Sequence, residues 1–197
     1  PPEVIAETAS QLDSDLIIVG AARHNNISDF FLGTAVDHLV HHAKAPVLIV
    51  KERPRADYGQ ILVATDFSDF SAHALRTTLE FFPNAKIELV HAYHVAYEAW
   101  LKSDGVAAEM RSDAEKELHD FMTGMDLSEI DTARVSPRLV EGNLHQSIHN
   151  MLDTGDFDLL ALGTHGRSGF VMATIGSRAS ETMGWSPVDV LMVRKPD

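Results

Sequence analysis

The chain of 197 residues contains no cysteine. Disulfides, thiolate metal centres and thiol catalysis are therefore excluded, which agrees with a reducing compartment. It also has no run approaching the ~20 continuous apolar residues of a bilayer-spanning helix. Its start, Pro1-Pro2-Glu3, lacks the charged-then-apolar order of a signal peptide. A cytoplasmic location with no membrane partner is the expectation, and a first residue other than methionine is compatible with a trimmed piece of a longer protein. Positive charge is scarce too: 16 Lys and Arg face 29 Asp and Glu, for a formal net charge of −13. Nucleic acid is not an expected partner, because affinity for it grows with the number of phosphates neutralised. Any phosphate bound by such a chain must be held locally. What remains, 45% hydrophobic and 23% charged residues, is the composition of an ordinary globular protein able to bury a core.

The most informative feature present is an internal repeat. Asp15-Leu16-Ile17-Ile18-Val19-Gly20 aligns with Asp158-Leu159-Leu160-Ala161-Leu162-Gly163 at an offset of 143 residues. The register then holds without a gap through Gly33-Thr34 over Gly176-Ser177 to Val47-Leu48-Ile49-Val50 over Val190-Leu191-Met192-Val193. An offset of that size suits one compact α/β domain. The expected organisation is a partial first copy over residues 1–52, a polar linker over 53–59 containing Pro54 and Gly59, and a complete second copy over 60–197.

In the first copy, the pattern predicts a helix over 2–12, a strand over 16–19, a helix over 28–42 and a strand over 47–51. The second copy alternates short apolar runs with helical periodicities. Strands are expected at 61–64, 87–91, 138–140, 159–162 and 190–193, and helices at 71–82, 107–122, 143–152 and 177–184, with Ser68 or Asp69 capping the first of these. Such alternation predicts an α/β fold, a doubly wound five-stranded parallel sheet with helices on both faces. Ligands of these sheets lie beyond the carboxyl ends of the strands, where the strand order reverses.

At that end of the fourth strand stands Gly163-Thr164-His165-Gly166-Arg167-Ser168-Gly169, followed by Gly176-Ser177. The spacing is glycine, two residues, glycine, nine residues, glycine and serine. Gly163 ends a strand, and Gly166 lets the backbone come close to a ligand. Gly176-Ser177 opens a helix whose free amides suit an anion, and the Ser177 hydroxyl adds a donor. Arg167 offers a charge-assisted contact to a phosphate, or else is a solvated surface arginine. His165, inside the loop, is placed to approach a phosphate.

In this spacing the second copy resembles the nucleotide-binding members of the universal stress protein family. The resemblance continues through Ile61-Leu62-Val63-Ala64-Thr65-Asp66-Phe67-Ser68 and Val140-Glu141-Gly142, so it covers the whole second copy. It implies the Rossmann-like, adenine nucleotide alpha hydrolase-like fold. It also implies a site for ATP or another adenine nucleotide, with or without magnesium. Asp66 and Ala64 would meet the adenosine, with Ala64 where many members have proline, and Ala92 would lie beside the base. Gly163, His165, Gly166, Arg167, Ser168, Gly169, Gly176 and Ser177 would surround the phosphates. The family also pairs domains through the last strand of each sheet, so 47–50 and 190–193 are expected to meet, within one chain or between chains of a homo-oligomer such as a dimer. The first copy keeps Gly20 and Gly33-Thr34 but has Arg23 in place of Gly166 and lacks the aspartate-bearing strand. One nucleotide site per chain is expected, serving a stress-response sensor or regulator.

Other readings are weaker. Asp66 could cap the following helix in addition to touching a ligand. His145 and His149, like His38 and His42, are four apart and share a helical face, but no third ligand type completes a zinc site, so solvated or packed histidines are expected. His91 reads as a packing residue. Ser68, Ser168 and Ser177 lack a nucleophile elbow, and no Walker lysine follows the glycines. No catalytic residue is assigned. Alternatives to a nucleotide-binding regulator are a nucleotide-free dimerisation or scaffold module and, at most, a slow ATP hydrolase using Asp66.

Overall fold

The computed structural model describes residues 2–23, 30–31, 34–51, 53, 56–93, 104–154, 157–165 and 184–195. The first half contributes α1 (Pro2–Gln11), β1 (Ile17–Gly20), β2 (Ala22–Arg23), β3 (Phe30–Phe31), α2 (Thr34–His42) and β4 (Val47–Val50). The second half contributes β5 (Gln60–Ala64), α3 (Asp69–Phe81), β6 (Lys86–Tyr93), α4 (Asp104–Gly124), α5 (Glu129–Arg134), β7 (Val135–Glu141), α6 (Leu144–Thr154), β8 (Leu159–Gly163) and β9 (Asp189–Val193).

The five strands expected of the second half form a parallel run in the order β7-β6-β5-β8-β9, with the order reversing at β5. That run is part of a larger sheet of seven strands. β4 adds antiparallel to β9, and β1 pairs parallel to β4. Leu48 faces Leu191, and the flanking pairs are Val47 with Met192 and Ile49 with Val190. Leu191 lies 143 residues after Leu48, the offset of the sequence repeat. The register is thus centred on two equivalent leucines, which places a pseudo-twofold axis through that pair. The last strands therefore meet within the chain, and this pairing occupies the edge of β9 that a second copy would need.

Alternation along the strands divides the core in two. On one face Leu62, Ala64, Val90, Leu160, Leu162, Val190 and Met192 pack with Leu39 and Val40 of α2 and Ile148, Met151 and Leu152 of α6. On the other, Ile61, Val63, Ile87, Leu89, Leu159, Ala161, Leu191 and Val193 pack with Ala74, Leu75 and Leu79 of α3, and Leu118 and Phe121 of α4 lie against them. Each fully buried leucine or isoleucine among these contributes about 1.5–3 kcal/mol of transfer free energy.

Two expectations need correction. The helix expected over 28–42 begins only at Thr34, because Phe30–Phe31 pairs antiparallel with Ala22–Arg23, as suits the high strand propensity of adjacent aromatics. The strand expected over 138–140 runs over Val135–Glu141, its register with β6 unbroken from Val135 to Glu141 despite Pro137. β7 is an edge strand, where a missing amide is tolerated. A short helix, α5, precedes it. Ser128 caps α5, accepting from the Asp131 amide at 3.1 Å. The helix expected over 177–184 falls on residues that, up to 183, lie outside the described ones.

Candidate functional site

The reversal at β5 brings together the carboxyl ends of β8, β5 and β6. β5 carries Ala64, Thr65 and Asp66 outward, and its last pair with β8 is Val63 with Ala161. Gly163 thus emerges beside the β5–α3 turn, and Ala92 lies one strand over, paired with Val140 of β7. Ala64 is buried, while Asp66, Ala92, Gly163 and His165 are half-buried. These five sequence-predicted residues sit at one end of three adjacent strands. Gly166, Arg167, Ser168, Gly169, Gly176 and Ser177 lie outside the described residues.

The turn after β5 is tightly held. The Asp66 carboxylate accepts from the Ser68 amide at 3.1 Å and from the Ser68 hydroxyl at 2.5 Å. Ser68, extended at φ −81°, is the N-cap of α3, its oxygen accepting from the Ser71 amide at 3.3 Å. Of the two capping candidates it is therefore Ser68, and Asp66 supports the cap from behind. Thr65 completes the mesh, with its hydroxyl 2.9 Å from that of Ser71 and accepting from the Phe67 amide at 3.0 Å. Phe67 has φ +62°, a left-handed conformation unusual for a bulky side chain and a sign of stored strain. Its ring stacks on His91 at 4.0 Å and lies 5.4 Å from that of Phe121. His91 also contacts the Thr65 carbonyl through Nδ1 at 2.8 Å, so it packs under the turn.

Gly163 approaches the start of α3 so closely that a Cβ there would meet Phe70 backbone atoms at 3.1 Å. From that point the chain turns outward. The Thr164 amide donates to the Val193 carbonyl at 3.0 Å, and the Thr164 hydroxyl lies 2.9 Å from His165 Nδ1. The His165 ring is 5.1 Å from Phe70. Burial, then the Arg194 guanidinium and the nearby His41, hold the His165 pKa below the ordinary imidazole value. Arg194, Lys195 and His41 are thus neighbours of this site that motif reading missed. The repeat alignment held a signal for the first, since Arg194 falls on Lys51 and each follows the last strand of its copy.

The histidine pairs have ordinary packing roles. His145 accepts the Trp185 indole N–H at 2.8 Å, and His149 stacks on the same indole at 5.1 Å. His38 and His42 stack on each other at 4.1 Å. Among the described residues no three His, Asp or Glu side chains converge on a metal position, and no described helix is long and apolar enough to cross a membrane.

A doubly wound sheet with its order reversing at β5 defines a Rossmann-like α/β protein. A model of the universal stress protein family matches residues 1–51 and 57–194, and the chain belongs to that family. Universal stress protein E of Salmonella typhi is 23% identical over 214 residues, covering 100% of this chain and 66% of the relative. Universal stress protein E of Escherichia coli strain K12 is 22% identical with the same coverage. The chain therefore spans about two thirds of the length of the curated relatives it matches. Among solved structures, a universal stress protein from Archaeoglobus fulgidus has a TM-score of 0.69 at 18% identity, over 100% of this chain and 67% of that one. The universal stress protein UspA from Lactobacillus plantarum has a TM-score of 0.56 at 19% identity, over 71% of this chain and 100% of that one. At these identities the structures speak for the fold alone.

Proposed function

We propose that this chain is a tandem universal stress protein of the cytoplasm. Its second domain, residues 60–197, binds ATP or a related adenine nucleotide, and its first, residues 1–52, is a partial copy without a site of its own. The observation that carries the reading is the convergence of Asp66, Ala92 and Gly163–His165 at the strand-order reversal, where the glycine-spaced loop begins. In doubly wound sheets that crevice takes the ligand. The division into two domains is supported by the stretches 1–51 and 57–194 that match the family model. Ala64, Asp66 and Ala92 would meet the adenosine, and Gly163, His165, Gly166, Arg167, Ser168, Gly169, Gly176 and Ser177 the phosphates. Magnesium would enter with the phosphates, as this ion usually does. A nucleotide favouring one arrangement of the two halves would shift the population toward it, which suits a sensor or regulator.

One observation favours a second reading, a scaffold without nucleotide: Gly163 has a packing reason to be glycine, because a Cβ there would lie only 3.1 Å from the Phe70 backbone at the start of α3. Gly166 separates the two. Replacing Gly166 with valine should abolish ATP binding in calorimetry while the unliganded thermal midpoint stays nearly unchanged. Undiminished ATP affinity in that variant would support the scaffold.

A further inference from the structure

Lys51 and Arg194 occupy equivalent positions in the repeat, each directly after the last strand of its half. Each reaches across the pseudo-twofold junction to a backbone carbonyl of the other half. Lys51 Nζ donates to the Ser186 carbonyl, and Arg194 Nη1 donates to the His41 carbonyl at the end of α2, at 2.7 Å. A cation at a helix C-terminus is favourably placed, because the last carbonyls are unpaired and the dipole is negative there.

The two differ in their electrostatic surroundings. Beside Lys51 stands Asp189, whose carboxylate accepts from the Lys51 amide at 2.7 Å and from the Tyr58 hydroxyl at 2.6 Å. The residue equivalent to Asp189 in the first half is Pro46. Among the described residues no carboxylate pairs with Arg194. Arg194 lies close enough to His165, at the start of the glycine-spaced segment, to act on that imidazole electrostatically. The Thr164–Val193 backbone bond at 3.0 Å keeps that loop start alongside Arg194. Nearby, Lys195 pairs with Asp69 at 3.0 Å, and His41 Nδ1 lies 3.6 Å from the Asp37 carboxylate. In a chain of net charge −13, a guanidinium and an imidazole with no carboxylate partner among the described residues, beside the start of the glycine-spaced segment, suit an anion.

We propose that Arg194, held by the His41 carbonyl of the first half, forms with His165 a composite subsite for the terminal phosphates of the nucleotide. This rests on the nucleotide reading above. The subsite gives the partial first half a part in ligand selection: it positions the cation that distinguishes a polyphosphorylated nucleotide from a nucleoside. Burial first, and then the nearby Arg194 guanidinium, lower the His165 pKa, which agrees with the two side chains lying at one site.

The test compares the wild-type chain with Arg194→Gln and Arg194→Lys. Calorimetry with ATP and with adenosine gives the ratio of the two affinities, and histidine NMR titration gives the His165 pKa with and without inorganic triphosphate. Loss of a charge-assisted contact should lower the ATP-to-adenosine ratio about tenfold or more in Arg194→Gln, with partial recovery in Arg194→Lys. In the same Gln variant the His165 pKa should rise, and triphosphate should raise it in the wild type but much less in the variant. An unchanged ratio, or equal losses for ATP and adenosine, would overturn the subsite while leaving nucleotide binding standing. If the wild type binds neither ATP nor adenosine, the nucleotide reading fails, and the triphosphate titration alone decides: an unmoved His165 overturns the subsite as well.

Discussion

The two halves share a strand-helix-strand skeleton but not its surroundings, and equivalent residues report the difference. Ile148 of α6 is 0% exposed, whereas its repeat partner Ile5 of α1 is 44% exposed. Ala161 of β8 is 0% exposed, whereas its partner Ile18 of β1 is 64% exposed. In the second half β8 pairs with β5 and lies under α3. In the first half the one strand beside β1 is β4, so among the described elements one face and one edge of β1 remain uncovered. The same local sequence pattern thus yields a core position in one half and a surface position in the other. Burial here is a property of the neighbours, not of the residue.

That contrast can be broken by paired substitutions. Ile148→Ala should cost about 2–5 kcal/mol, the price of a core cavity, and Ile5→Ala about 0.5 kcal/mol or less, as read from urea denaturation midpoints. Similar losses at both positions would refute the difference in burial.

Next in size is a pH effect at the junction. Burial pushes the buried Lys51 ammonium down to about 8 from 10.5, the nearby Asp189 carboxylate opposing this only in part. Between those values the unfolded chain holds the proton and the folded chain does not, so this group makes stability rise with pH from about 8 to 10.5. Lys51→Met should remove that rise, which amounts to about 3 kcal/mol between wild type and variant. Tyr58 acts in the opposite sense: burial first, then its bond to Asp189, pushes its pKa up, so its contribution falls as pH rises above 10.0. Denaturation curves of both proteins from pH 7 to pH 11 provide the check, and parallel curves would contradict it.

The smallest effect sharpens the comparison at the glycines. Gly163→Ala should cost about 1–3 kcal/mol through overpacking against Phe70. At Gly20 a Cβ would meet nothing within 4 Å, so Gly20→Ala should be neutral or stabilising by about 0.4–1 kcal/mol. Thermal midpoints of the two variants should therefore move apart.

Much of this was legible in the sequence. The repeat offset located equivalent strands because a strand ending in glycine leaves a local signature, and the five parallel strands of a doubly wound sheet followed from alternating buried runs and helical periods. The Asp66-to-Ser68 segment was recognisable because capping needs a short polar side chain within a few residues of the helix start. The strands at Phe30–Phe31 and Ala22–Arg23 were not legible, since a two-residue ladder has no period to detect. Neither was the seating of Arg194 on the His41 carbonyl, a contact across 153 positions that depends on how the halves fold together. The repeat did place Arg194 over Lys51, but a single basic residue after a strand carries no mark of what it will touch.

The proposed function is asymmetric: one half would hold a nucleotide, while the other supplies the strand beside β9 and the carbonyl that seats Arg194. Native mass spectrometry of the 197-residue chain in excess ATP tests this most directly. The expected result is one nucleotide bound per chain, lost on replacing Gly166 with valine and retained on replacing Gly20 with alanine. Two nucleotides per chain, or none, would contradict it.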